Sequence, residues 1–396
     1  MLPLVEPGPA LDPARITRYS RQLMLPGFGE DAQRRLRAAR VLVIGAGGLG
    51  SAVVPMLAAA GVGTIGVVDD DVVELSNLHR QLSHGVADLG RAKVDSLADA
   101  VRAIDPDTVV HAHRERLGAH NLPALLEDYD LLVDGSDNFP TRFLANDAAD
   151  LAGKPLVWGA ILRFHGQVGI AWRGHGPTYR DLFPEPPSGD EALSCELGGV
   201  LPTLCPAIGS LLATEAIKLV TGIGEPLLGR VLVYDALTAR TREIAYRADE
   251  DAPRITALEP ESPAGERDER DAVSAAEVLR AIRAGEPVRL VDVREPDETA
   301  LRRIPGARLL PLGRLDAGED PEGPAPVVVY CERDPRSRRA VRTLRERGID
   351  ARYLAGGIRA FVAIGGEVEA GQGGADPAPP AVEDVAGAAA GEGVRA

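Results

Sequence analysis

The chain has 396 residues, 45% of them hydrophobic, enough for two or three domains each with its own core. Its 59 acidic residues outnumber 44 basic ones, a net charge of −15 that argues against nucleic-acid binding, which rests on basic patches. Three scattered cysteines make no disulfide framework, and neither an apolar run of about 18 residues nor a basic-then-apolar leader is evident, so a cytoplasmic protein that does not enter membranes is expected.

Residues 12–37 read as helical and carry Arg18 and Arg21 in RYSRQL. The buried-strand pattern RVLVI (40–44) then runs into GAGGLG, with Gly45, Gly47, Gly48 and Gly50. Residues 51–60 continue as a helix, and a second strand at 64–68 ends in Asp69-Asp70-Asp71. In such a βαβ unit the glycines let a phosphate approach the backbone, and the helix N-terminus supplies donors. Asp69, 24 residues after Gly45, stands where a carboxylate can accept ribose hydroxyls. These features alone fit a nicotinamide-dependent oxidoreductase as well as an ATP enzyme.

The next segment favours a triphosphate. LSNLHRQ places Asn77 and Arg80 three apart, and Lys93, one of only three lysines, follows in GRAKV. That much positive charge beyond a nucleotide strand suits phosphates. Asp137, in DGSDNFPTR after the strand at 131–134, lies where open α/β sheets bind ligands. A lone carboxylate there is a natural magnesium ligand. Further strands at 107–111, 156–161, 167–171 and 230–234 alternate with helical stretches, which predicts an α/β fold around a largely parallel sheet. Residues 173–190 read as a long exposed crossover loop and 203–221 as a helix, with Cys205 a core residue at its start.

The division expected is a first domain at 1–250, an acidic linker at 251–272, a second domain at 273–368 and a disordered tail at 369–396. The second domain has its clearest strands at 290–293 and 327–330 and its clearest helix at 337–347. Cys331 closes a strand ahead of a short loop and a helix, where amides and the helix N-terminus can stabilise a thiolate or persulfide. Glu332 and Asp334 add negative charge beside the sulfur and Pro335 lacks an amide donor, while Arg333, Arg336, Arg338 and Arg339 oppose that charge.

RYSRQL, GAGGLG, VDDDVVELSNLHRQ, GRAKV and DGSDNFPTR together resemble the ubiquitin-activating-enzyme superfamily over residues 15–247. The nearest members are the bacterial adenylyltransferases of molybdopterin and thiamine synthesis. LVDVRE, RIPGA, the Cys331 loop and LAGGIRAF resemble single-domain rhodaneses. The resemblance implies a Rossmann-like, mostly parallel sheet with helices on both faces, followed by a smaller α/β rhodanese domain. It implies that Asp69 binds the ribose of ATP, that the glycines, Asn77, Arg80 and Lys93 meet the phosphates, and that Asp137 holds Mg²⁺. Arg21 would reach into the partner's site of a homodimer.

The implied substrate is a ubiquitin-like sulfur-carrier protein ending in Gly-Gly, adenylated at its C-terminus, with molybdenum cofactor biosynthesis among the pathways. Cys331, loaded by a cysteine desulfurase or thiosulfate, would attack the adenylate as a persulfide, and Cys195, matching a loop cysteine of relatives, would release the thiocarboxylate. Two alternatives are a rhodanese domain that only docks the donor and, less favoured, the oxidoreductase. Many relatives bind zinc through two CxxC pairs. Here Thr178 and Asp181 stand at the first pair and no CxxC follows Ala245, so no zinc is expected and packing alone must hold the crossover loop.

Overall fold

The computed structural model describes residues 2–185, 199–249, 254–258, 271–321, 326–332 and 334–370. The described residues up to 258 form one compact unit and those from 271 a second. The linker expected at 251–272 falls mostly outside the described residues, as does the tail from 371.

The first unit has strands β1 (Arg40–Ile44), β2 (Thr64–Val68), β3 (Val109–His113), β4 (Leu131–Asp134), β5 (Leu156–Leu162), β6 (His165–Ala171), β7 (Arg230–Asp235) and β8 (Arg240–Ala245). They form one sheet in the order β3-β2-β1-β4-β5-β6-β7-β8. The first five are mutually parallel and the rest pair antiparallel. Its helices are α1 (Pro13–Arg18), α2 (Ser20–Leu23), α3 (Gly29–Ala38), α4 (Gly50–Ala60), α5 (Lys93–Ile104), α6 (Leu122–Glu127), α7 (Phe139–Ala152) and α8 (Leu204–Thr221).

Continuous apolar runs such as RVLVI and LLVD suit strands buried on both faces. Side chains alternate across the sheet: Val41, Val43, Leu131 and Val133 pack with α3, α4, α5 and α8, whereas Leu42, Ile44 and Leu132 pack with α6 and α7. Helix α8 is long and apolar enough to cross a membrane by length and composition, but it lies in the core of this unit.

Three expectations change. The helical stretch at 12–37 is three helices, broken at Tyr19, whose buried hydroxyl donates to Asp105 at 2.6 Å, and again around Pro26 and Gly27. The strand placed at 107–111 begins at Val109, because Thr108 and Asp107 are drawn into a turn anchored on Asp105. Strand β8 was not foreseen. All six of its residues are exposed, so it carries no burial period, and its charges protect a sheet edge.

The second unit is a smaller parallel sheet, β11-β10-β12-β13-β9, built from β9 (Ala272–Val273), β10 (Leu290–Asp292), β11 (Arg308–Leu309), β12 (Val327–Tyr330) and β13 (Ala351–Leu354). Helices α9 (Ala275–Arg283), α10 (Pro296–Leu301), α11 (Leu312–Asp316), α12 (Pro335–Glu346) and α13 (Gly357–Ala363) complete it. Glu369, placed in the tail by the sequence, instead pairs with Arg303 through two backbone hydrogen bonds of 2.8 and 2.9 Å.

Candidate nucleotide site and sulfur-carrying loop

Strand order reverses between β1 and β4, which opens a crevice at their carboxyl ends. The GAGGLG turn fills one side of it. Gly45 has φ +88°, and a Cβ there would lie 3.3 Å from the Gly135 carbonyl of the loop after β4. A Cβ on Gly50 would come within 1.8 Å of the Gly45 carbonyl, and one on Gly48 within 2.8 Å of Cys205 Sγ. Gly47 faces Gln81, whose Nε2 lies 3.7 Å from where its Cβ would be. The turn is therefore closed on its protein side.

Asp69 accepts from the Ala46 amide at 2.7 Å and the Asp71 amide at 2.8 Å. Burial raises its pKa, and the Lys93 charge and both amides pull it back. Lys93 is the first residue of α5. Its buried ammonium lies 2.7 Å from Asp71 Oδ2, and its amide donates to the Asp71 carbonyl at 3.0 Å. Asn77 is buried and its Oδ1 accepts from the Glu74 amide at 3.1 Å, so it shapes its own turn. Arg80 donates to the Ser76 carbonyl at 2.9 Å and meets His79 Nε2 at 2.9 Å; among the described residues no carboxylate pairs with it.

Sequence reasoning missed three members. Gln81 is only 3% exposed and its Oε1 has no hydrogen-bond partner among the described residues. Such an orphan is costly unless a ligand or water meets it. His84 is buried, with Nδ1 2.8 Å from Ser96 Oγ and Nε2 3.1 Å from the Ala46 carbonyl. Arg142 lies beneath the Asp137 loop. It donates to Asp134 Oδ2 at 3.3 Å and to the Ser136 and Gly159 carbonyls at 3.0 Å each. Asp137 itself is exposed at the end of β4. The one available signal for Arg142 was its place closing DGSDNFPTR.

Arg21 lies elsewhere. Its neighbour Gln22 donates to the Ala60 carbonyl at 3.0 Å, at the far end of α4 from the glycine turn. Helix α4 has 11 residues, about 16 Å at 1.5 Å per residue. Arg21 is exposed there and is not brought to this chain's own turn.

Cys195 lies outside the described residues, as do the last five residues of the crossover loop, 186–190. The rest is held by more than packing, contrary to expectation. Asp181 accepts from the Thr178 amide at 2.6 Å, the Thr178 hydroxyl at 2.8 Å and the Asp249 amide at 2.9 Å. It thus ties the crossover segment at Thr178 to the segment at Asp249. Arg180 holds Asp147 in a two-pronged pair at 2.7 Å, and buried Tyr179 packs edge-on against Trp158 and Phe143 with centroids 5.0 and 5.3 Å away. Cys205 is fully buried against Gly48, and burial pushes its thiol up to about 11 despite the nearby Arg80 charge.

In the second unit Cys331 follows β12 directly, with α12 starting four residues on. The sulfur is buried, 1% exposed, rather than open at the loop mouth, and lies 3.5 Å from Ser337 Oγ. The acid Glu332 beside it is opposed by arginines other than those the sequence offered. Glu332 pairs with Arg294 at 3.2 Å and with Arg302. Asp334 accepts from the Gly356 amide at 2.6 Å. Arg336, whose charge acts on Cys331, is gripped by Glu298 at 2.5 and 2.6 Å. Buried Arg294 also pairs with Asp292 at 2.7 Å. Arg333 lies outside the described residues.

Residues 19–254 match the ThiF family and residues 274–364 the rhodanese-like domain. The "Probable adenylyltransferase/sulfurtransferase MoeZ" of Mycobacterium tuberculosis is 47% identical over 91% of this chain and 96% of its own length. The adenylyltransferase and sulfurtransferase MOCS3-2 of Zea mays is 39% identical over 90% of this chain and 80% of its own. A sulfur carrier protein adenylyltransferase of Thermus thermophilus is 48% identical over 60% of this chain and 90% of its own. The solved structure of E. coli MccB shares the fold, with a TM-score of 0.53 at 19% identity over 62% of this chain and 74% of that one. These relatives do not favour the oxidoreductase reading. The chain belongs to the ThiF family, carries a rhodanese-like domain after it, and is a nucleotidyltransferase of the adenylyltransferase and sulfurtransferase type.

Proposed function

We propose that the first domain adenylates the C-terminal glycine of a ubiquitin-like sulfur carrier ending in Gly-Gly, and that the second supplies the sulfur. The observation that carries this reading is the gathering of the closed glycine turn, Asp69, Lys93 and Arg80 at the strand-order reversal. The triphosphate would lie along Gly45, Gly47, Gly48 and Gly50 at the N-terminus of α4, with the ribose on Asp69. Lys93, now on Asp71, and Arg80, with no carboxylate of its own among the described residues, would balance phosphate charge beside Asn77. Asp137, exposed at the end of β4, fits a magnesium ligand, and the ion would neutralise phosphate charge. The carrier's carboxylate attacks the α-phosphorus, the bond to pyrophosphate breaks, and an acyl-adenylate forms.

A persulfide on Cys331 then attacks the acyl carbon and expels AMP, leaving an acyl disulfide. A second thiolate, assigned to Cys195, attacks the Cys331 sulfur of that bond and releases the carrier thiocarboxylate. Burial of Cys331 means its loop must open to load and deliver sulfur from a desulfurase or thiosulfate. Arg21 lies too far from its own glycine turn to serve it, which supports a homodimer in which it serves the partner's site. The outward apolar residues Leu75, Leu82 and Val86, 72%, 68% and 72% exposed, suit burial against a second copy. We assign no zinc, and free Cys205 and Cys331 fit a reducing compartment such as the cytoplasm.

The test is intact-mass analysis of a Gly-Gly-tailed carrier incubated with protein, Mg-ATP and thiosulfate. Replacement of one carrier oxygen by sulfur is expected with the native chain, and acyl-adenylate alone with Cys331→Ala. Equal thiocarboxylate from both proteins would refute the role of Cys331.

A further inference from the structure

We infer that His84 is a positioning residue of the nucleotide site, coupling the glycine turn to the helix that begins at Lys93. The inference rests on the proposal that ATP binds this turn.

Ala46, between Gly45 and Gly47, is gripped through both of its backbone polar groups, which belong to successive peptide planes of the turn. Its N–H donates to Asp69 Oδ2 at 2.7 Å, and its carbonyl faces His84 Nε2 at 3.1 Å. The other ring nitrogen lies 2.8 Å from Ser96 Oγ, three residues into the helix after Lys93. A carbonyl can only accept, so Nε2 donates to Ala46, while Ser96 Oγ stands between Nδ1 and the Asp88 carboxylate, with which it also hydrogen-bonds. Two phosphate-binding elements, the turn amides and the Lys93 helix, are held at one separation by a single buried ring. Asp69 contributes from just beyond β2, so displacement of the Ala46 backbone would disturb the ribose and phosphate contacts together. His84 itself acts only through Ala46 and Ser96.

Three variants separate the two ends of this bridge. In His84→Gln the terminal amide can occupy the place of Nε2 and keep the Ala46 bond. His84→Asn reaches only as far as Nδ1 and loses it. Ser96→Ala removes the other anchor at minimal cost in volume. Equilibrium binding of Mg-ATP to the full chain should weaken roughly tenfold for His84→Asn, as for a lost buried hydrogen bond, and stay near native for His84→Gln. KM for ATP should rise with kcat less affected, whereas a folding defect would lower the active fraction at constant KM. Long-range ¹⁵N–¹H spectra should show the Nε2–H tautomer. If His84→Asn fails to fold, Ser96→Ala carries the test with a weaker Kd. Native Kd in His84→Asn or in Ser96→Ala, or an Nδ1–H tautomer, overturns the inference. A native protein that does not bind Mg-ATP overturns the nucleotide reading itself, and the role of His84 falls with it.

Discussion

Arg142 and Asp134 form a buried ion pair beneath the loop that presents Asp137, with Nε 3.3 Å from Oδ2. The same guanidinium binds the Ser136 and Gly159 carbonyls, so it ties the β4 loop to β5. Burial pushes the Asp134 carboxyl up and Arg142 opposes that shift. Arg142→Leu would strand a buried carboxylate and cost about 3–5 kcal/mol in urea unfolding. Asp137→Asn should leave the unfolding midpoint in place and abolish magnesium-dependent pyrophosphate exchange. Equal unfolding curves for Arg142→Leu and the native chain would contradict this account of the loop.

Stability should fall with acid partly through His84. Burial, helped by the Lys93 charge, holds its imidazole below the ordinary 6.5, against the Ala46 carbonyl and the charges of Asp88 and Asp69. As pH falls the unfolded chain takes up this proton first. The stability carried by the neutral ring is therefore full above about pH 6.5 and is lost from there down through the folded value. His84→Gln should flatten the unfolding midpoint between pH 7 and 5 relative to the native chain, by roughly the share of one titrating group. Parallel pH profiles would exclude the ring as a contributor.

The crossover segment offers a separate test. Asp181 accepts three hydrogen bonds from Thr178 and Asp249. Asp181→Ala should cost about 1–3 kcal/mol by leaving those donors unmet. A chelator such as EDTA should leave the native unfolding midpoint unchanged, and a drop with release of stoichiometric zinc would sink the zinc-free assignment.

Around Cys331, Arg336 is the cation whose charge reaches the sulfur, and Glu298 fixes its direction. Arg336→Gln should slow alkylation of Cys331 by iodoacetamide several-fold at neutral pH, as expected when a cation near a reactive thiol is removed. An unchanged rate would mean that burial, not charge, controls access.

The central βαβ unit was legible because RVLVI and TIGVV are almost wholly buried apolar runs and the glycines between them suit a tight strand-to-helix turn. Asp69 was singled out by its place at the end of the second strand, Lys93 as a rare lysine in GRAKV, and Asp137 by its place after the strand at 131–134. His84 was not, since a single histidine in a polar turn has no period, and its partners, Ala46 and Ser96, are 38 and 12 residues away. Arg142 was visible only as the end of DGSDNFPTR, because the carboxylate it neutralises, Asp134, closes the preceding strand. RTREIA gave no strand signal, as an edge with no buried face is indistinguishable from a polar loop. Around Cys331, local composition showed Glu332 but not its partners Arg294 and Arg302, which come from another segment.

The most direct test is exchange of labelled pyrophosphate into ATP by the purified chain with a Gly-Gly-tailed ubiquitin-like carrier and Mg²⁺. Exchange that requires the carrier's terminal carboxylate, and disappears in Lys93→Ala and Arg80→Ala, is the result this account predicts. Absence of exchange with every such carrier, or undiminished exchange in both variants, would contradict it.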